Sequence, residues 1–398
     1  MNRLVISHRA LRSAAPHRLP DALRRVLRAH YAAESADFLL ADYGHGVLLP
    51  VTDAARERRP QPVHGTPAGR AFSAQRTVLE EPDGEGAVRA HLPVTARGDR
   101  LGVLSVTGVR ARRELGELAE LAQVLGHEVV VAGRGTDLFH QALRQERLTL
   151  TAELQWQLPP ARSCERPEFA LGAHMHPAYG LQGTCFDWAL GADRLTLYLV
   201  DGTGEGVDAS LRTHLAVAAL RNARRAGLPL ADQAALTDQA LYAHFQGKAH
   251  VPALLAELAT TTERLRVVAA GASRMVRLRD RAATTVDVED QLPLGMFEET
   301  DYAAQEFALR PGDRLVLVGE GRRSGASGPG GDGPGERALA RAVAATGLLR
   351  PTEVPAAVLR EVAGRQDTGE PDAEAVAACL DWFGARPDGH DGTAAPTG

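Results

Sequence analysis

Apolar positions recur along the first third of this chain in two periods. From Pro20 to Tyr31, Leu23, Val26, Leu27 and Tyr31 fall on one helical face. Ala36–Leu40 reads as a strand, Asp42-Tyr43-Gly44-His45-Gly46 as a hairpin turn, and Val47–Val51 as the returning strand. Thr66 is placed to cap a short helix whose first turn contains Pro67. Strands are predicted over Thr77–Leu79, Ala87–Val94 and Leu101–Val106, the last two joined by a turn at Arg97-Gly98-Asp99-Arg100. Glu114–Val131 carries Leu115, Leu118, Leu121 and Leu125 at helical spacing.

The pattern then changes. Val131–Leu158 is strongly helix-forming and stops at Pro159-Pro160, which cannot continue a helix. Phe169–His176 is a strand. A second apolar strand, Leu195–Val200, runs directly into Asp201-Gly202-Thr203-Gly204-Glu205-Gly206. Helices are predicted over Leu211–Ala226 and 231–246, and strands over Val251–Ala259, Leu265–Ala269 and Met275–Arg279. Ser324–Gly335 is rich in Gly, Ser and Pro and reads as a flexible loop. Two helices (336–346, 352–363) and a last strand, Ala375–Trp382, follow. The predicted organisation is an N-terminal extension (1–17), an α/β domain (18–130), a helical connector (131–160), a second domain (161–385) and a disordered tail (386–398).

Composition narrows the function classes. The chain has 398 residues, too many for one ordinary core, and is 44% hydrophobic. A net charge of −5 gives no reason to expect a nucleic-acid or anionic-membrane partner. Three cysteines, Cys164, Cys185 and Cys379, form neither a metal-ligand spacing nor an even disulfide set, and suit a reducing cytosol. No signal peptide or membrane-length apolar run is present, so a cytoplasmic protein is expected.

The stretch richest in chemistry is QGTCFDWALGADRLTLYLVDGTGEGVDASL, residues 182–211. A carboxylate at a strand's end, followed by glycines that let backbone approach a ligand, is how hard cations or phosphates are held. The stretch resembles the PPM-type (type 2C) protein phosphatases of the stage II sporulation protein E class. Their GGDxFDY appears as QGTCFDW and their DxMGHG as DGTGEG. LTAELQWQLPP, LPLGMF and LRPGDRLVLVGEGRRSG match further family segments. The resemblance runs from about Leu150 to Trp382 and implies an α/β/β/α sandwich. It also implies two Mn²⁺ or Mg²⁺ ions that activate a bridging water against a phosphoserine or phosphothreonine.

Carried over position by position, the family's ligands are partly kept. Asp201 keeps the bridging Asp and is the expected catalytic centre, with Gly202 supplying its carbonyl. Asp187 keeps the second acid of the first motif. Glu320 replaces an Asp. Thr184 replaces an acid with a neutral hydroxyl. The terminal acidic pair becomes Ala373-Glu374, or, shifted by one, begins at Asp372. The expected metal set is therefore Asp201, Gly202, Glu320, Asp372 and Asp187.

The segment before the connector, with GTPAGRAFSAQRTVL and LPVTARGDRLGVLSV, resembles a GAF domain, which implies either a small-ligand sensor or a dimerising, transmitting module. Two functions follow from the resemblances. One is a GAF-regulated, metal-dependent phosphatase acting on a regulatory phosphoprotein such as an anti-anti-sigma factor. The other is a pseudophosphatase that binds such a partner without hydrolysis. A homodimer is expected in either case.

Overall fold

The structure, a computed structural model, describes residues 2–52, 59–80, 87–109, 112–202, 204–271, 273–320, 334–363 and 374–385. The expected loop at 324–335, apart from its last two residues, Asp372, Ala373 and the expected tail from 386 lie outside the described residues. The chain divides into two compact units, 1–148 and 149–398.

The first unit is built on one antiparallel sheet of order β3-β2-β1-β6-β5-β4. Its strands are β1 (Ser35–Ala41), β2 (Val47–Pro50), β3 (Gln61–Pro62), β4 (Val78–Glu80), β5 (Arg89–Ala96) and β6 (Asp99–Thr107). Alternation along the strands sends successive side chains to opposite faces. Phe38, Leu40, Leu92, Leu104 and Val106 pack in one core with α1 (Arg3–Arg12), α2 (Leu19–Tyr31) and α4 (Arg112–Ala132). Leu39, Ala41, Leu48 and Val103 pack on the other face with Phe72 of α3 (Pro67–Ala74). Thr66 caps α3 as expected, its hydroxyl accepting from Gly69 N at 3.0 Å.

Two features differ from the sequence reading. Residues 3–12, read as part of an extension, form a helix. It is tied to α4 by ion pairs from Arg3 to Glu117 (2.7 Å) and Arg12 to Glu128 (3.5 Å), and it buries Leu11. The single helix expected over Val131–Leu158 is broken. α4 ends at Ala132, Gly133 and Gly135 follow, and only short helices α5 (Leu138–Ala142) and α6 (Leu150–Trp156) remain. Glycine costs about 1 kcal/mol in a helix interior, and Thr149 restarts the helix by capping Ala152 N at 3.1 Å.

The second unit is an α/β/β/α sandwich. One sheet has the order β15-β12-β11-β10-β9, with β16 also paired to β12; the other has the order β14-β13-β17-β18-β8-β7. The strands are β7 (Ser163–Glu165), β8 (Phe169–His176), β9 (Thr184–Leu190), β10 (Arg194–Asp201), β11 (Ala253–Ala259) and β12 (Arg264–Ala270). They continue with β13 (Ser273–Arg279), β14 (Ala282–Thr285), β15 (Asp290–Gln291), β16 (Gln305–Ala308), β17 (Arg314–Glu320) and β18 (Ala375–Trp382). Pairing is antiparallel except between β12 and β15. Helices α7 (Gly206–Arg225) and α8 (Leu230–Phe245) cover the first sheet; α9 (Pro334–Ala345) and α10 (Val354–Ala363) cover the second. No helix among the described residues is long and apolar enough to cross a membrane.

Candidate functional site

Three chain segments meet at one end of the sandwich: the Gln182-Gly183-Thr184 turn that leads into β9, Asp201 at the end of β10, and Glu374 at the start of β18. Thr184 and Asp201 are direct cross-strand partners, so their side chains leave the same face of the sheet. Both are buried. Asp201 N donates to Pro252 O at 2.9 Å, which anchors the strand end.

Glycines make this junction close. Gly202 N donates to Gly183 O at 3.0 Å. A Cβ on Gly183 would stand 2.0 Å from Gly202 O, and one on Gly202 would stand 2.1 Å from the Thr213 hydroxyl. Only glycine permits such a backbone approach. Gly202, the expected carbonyl ligand, therefore has its carbonyl packed against Gly183.

Glu374 occupies the turn. Its Oε1 accepts hydrogen bonds from Gln182 N (2.9 Å), Gly183 N (3.1 Å), Thr184 N (2.8 Å) and the Thr184 hydroxyl (2.6 Å), and Oε2 accepts from Gly183 N at 3.1 Å. The other side of the turn is fixed as well. Ser210 and Thr213 of α7, both fully buried, donate their hydroxyls to Gln182 O and Gly183 O, and Gln155 of α6 donates to Gln182 O at 3.1 Å. With its carbonyls held by the helices, the turn aims its N–H groups at Glu374. Sequence reading named the Thr184 and Glu374 positions but did not pair them. The signal lay in one of the two registers: aligned on Trp382, one motif exchanges an acid for a hydroxyl while the other exchanges Asp for the longer Glu.

The structure corrects the assignment of Asp187. It stands three positions after Thr184, and an odd offset along a strand turns a side chain to the opposite face. Its partner across the ladder is Tyr198, not Asp201. There it is 1% exposed, and its two oxygens pair with Arg221 at 2.7 Å and Arg224 at 3.0 Å, both from α7. Arg224 also stacks over the Tyr198 ring at 5.0 Å, and the pairing with Asp187 raises the Arg221 pKa. Asp187 is thus a buried ion-pair residue that fixes α7 to β9.

Glu320 ends β17, and its backbone pairs with Ala375, next to Glu374. Asp372, on which one alignment of the terminal acids depends, is not described. Among the described residues no group of three or more His, Cys, Asp or Glu side chains is arranged to hold a metal ion. Two divalent ions close together need several anionic oxygens. Thr184 is neutral, Glu374 Oε1 is committed to the turn, and Asp187 faces the other way. The described donor set does not fit a two-metal centre.

A family description, stage II sporulation protein E, matches residues 191–379. The second unit is a stage II sporulation protein E domain. This places it in the PPM-type phosphatase class, in agreement with its sandwich fold. No curated protein matches the chain. Among solved structures, the RsbU and RsbW domains of Rv1364c from Mycobacterium tuberculosis are 18% identical over 56% of this chain and 63% of that one (TM-score 0.45). The phosphatase domain of the stage II sporulation protein E of Bacillus subtilis, with a fragment of its regulatory domain, is 17% identical over 54% of this chain and 64% of that one (TM-score 0.45). The chain thus spans less than two thirds of the length of these two structures. The catalytic domain of the serine/threonine phosphatase PstP, in complex with two manganese ions, is 18% identical over 54% of this chain and 99% of that one (TM-score 0.37).

Proposed function

We propose that this stage II sporulation protein E domain is a pseudophosphatase. It binds a regulatory phosphoprotein, of the anti-anti-sigma kind that the family resemblance suggests, without hydrolysing it by two-metal chemistry. The observation that carries this reading is the Glu374 carboxylate enclosed by three backbone N–H groups and the Thr184 hydroxyl. Four donors converge on Glu374 Oε1, against one on Oε2, and moving Oε1 to a cation means giving up charge-assisted hydrogen bonds. Asp201 and the acid at position 320 keep the charge of two family positions, which supports the competing reading of a weak Mn²⁺ or Mg²⁺ enzyme.

Calorimetric titration of the full chain with Mn²⁺, with p-nitrophenyl phosphate hydrolysis measured in parallel, decides between the two. The proposal expects no Mn²⁺-dependent turnover. Mn²⁺-dependent hydrolysis abolished by Asp201→Asn overturns it.

The first unit acts in this proposal as a GAF-like regulatory module that joins two copies of the chain. Its element order and its sheet flanked by helices on both faces support the module. The pairing is supported by one stripe of α4 and the turn after it. Gly116, Glu120, Gln123, His127, Val130, Val131 and Arg134 are all exposed on it, Val131 at 65%. Glu120 lies two helical turns before His127 and Arg134 seven residues after it, in the turn that follows α4, so an antiparallel pair of stripes crossing at His127 brings each Glu120 toward the other copy's Arg134. Light scattering is expected to show a dimer that Glu120→Arg weakens and that adding Arg134→Glu restores. A wild-type monomer, or a double variant no better than the single one, refutes the pairing.

A further inference from the structure

The Gln182-Gly183-Thr184 turn has the construction of an anion receptor. Three consecutive backbone N–H groups and one hydroxyl converge on a single oxygen atom, all at 2.6–3.1 Å. Successive N–H groups aimed at one point form an anion-binding concavity. The turn does not depend on its occupant for this shape. Ser210, Thr213 and Gln155 hold its carbonyls from behind, and Gly183 lets it lie against Gly202. Preorganisation of this kind removes the ordering cost of binding.

The present occupant is placed to leave. Glu374 precedes β18, whose pairing with β17 and β8 begins at Ala375. It is only half-buried, so its side chain can swing to solvent without breaking a ladder hydrogen bond. One carboxylate is already held here beside Asp201, so the site tolerates an anion despite that neighbouring charge.

We infer that this turn is an oxyanion cradle, closed by Glu374, that takes the phosphoryl group of a partner when Glu374 is displaced. A phosphate monoester brings about −1.5 to −2 charge and three acceptor oxygens, against one charge and two oxygens for the glutamate. The inference rests on the proposed phosphoprotein partner for its purpose, but not for its chemistry. The domain would read phosphorylation by exchanging an internal anion for an external one, with no bond made or broken.

The test uses the full chain, metal-free in excess EDTA, titrated with inorganic phosphate by calorimetry. Glu374→Ala is expected to bind phosphate at least about tenfold more tightly than wild type, equivalent to about 1.4 kcal/mol. Adding Thr184→Val should take back much of that gain by removing one donor. A folded Glu374→Ala chain, judged by circular dichroism, that gains no phosphate affinity overturns the cradle and leaves Glu374 as a staple between the two sheets. If Glu374→Ala does not fold, Glu374→Gln serves instead, because it keeps an acceptor oxygen but loses the charge. Its affinity for phosphate must also exceed that of wild type, and no increase overturns the inference. The outcomes are separable from the preceding proposal: Mn²⁺-dependent hydrolysis by wild type removes the pseudophosphatase and leaves the cradle, whereas a silent Glu374→Ala removes the cradle alone.

Discussion

Replacing Asp187 by Ala separates a metal ligand from a structural anchor. In the structure the carboxylate is 1% exposed and joins two α7 arginines, whose side chains are 24% and 16% exposed. Removing it leaves two largely desolvated cations facing a cavity. Breaking a buried pair by deleting one partner costs about 3–5 kcal/mol. The lower end applies here, because Arg221 keeps its bond to Leu158 O and Arg224 keeps the Tyr198 ring. At about 2–4 °C per kcal/mol for a domain of this size, a loss near 3 kcal/mol lowers the melting temperature of the second unit by about 6–12 °C. The assay is thermal unfolding of the full chain in EDTA, where no metal site contributes. A variant melting within about 1 °C of wild type, well inside the usual range for neutral surface changes, would refute the anchoring role. Arg224→Ala in the Asp187→Ala background should cost little more, since the partner is already gone.

Two further outcomes follow from the same geometry. His174 of β8 is fully buried, and desolvation first, then Arg162, His176 and Arg360, lower its pKa from 6.5 to about 3. Below pH 6.5 the unfolded chain takes up a proton that the folded chain refuses. The stability this group contributes is therefore complete above pH 6.5 and is lost as pH falls toward 3, by up to about 1.4 kcal/mol per pH unit. Urea unfolding between pH 7 and 5 should show a His174→Gln chain with a shallower acid slope than wild type; equal slopes would contradict this. Gly183→Ala places a methyl 2.0 Å from Gly202 O and must push the β9 and β10 ends apart. A loss of about 3 kcal/mol in urea unfolding is expected, at the upper end for overpacking, and an unchanged midpoint would show that the junction yields.

Local patterning made much of the fold legible. Strand β18 (Ala375–Trp382) coincides with the predicted segment, and α2, α4 and α8 agree with theirs to within two residues. In each, the hydrophobic period and the stop signals agree. Residues 3–12 were missed because the contacts that hold their helix, Leu11 in the core and the ion pairs from Arg3 to α4, are made with residues distant in sequence. The break after Ala132 was legible in Gly133 and Gly135 but was outweighed by the helix-forming run that follows.

At the candidate site the sequence by itself determined that Asp201 is kept, Thr184 is neutral and Glu320 is lengthened, and left the terminal acids in two registers, Ala373-Glu374 or one beginning at Asp372. It also held, in the alternation of a strand, the reason that Asp187 cannot share a face with Thr184. What it could not determine is the partnership of Thr184 with Glu374, 190 residues apart. That contact exists only because β9 and β18 belong to two different sheets whose ends meet when the sandwich closes, and because α7 turns the N–H groups of 182–184 toward the other sheet. A carboxylate in a sequence is a candidate ligand; whether its lone pairs are free for a metal or already spent on the backbone is decided by the packing that places its neighbours.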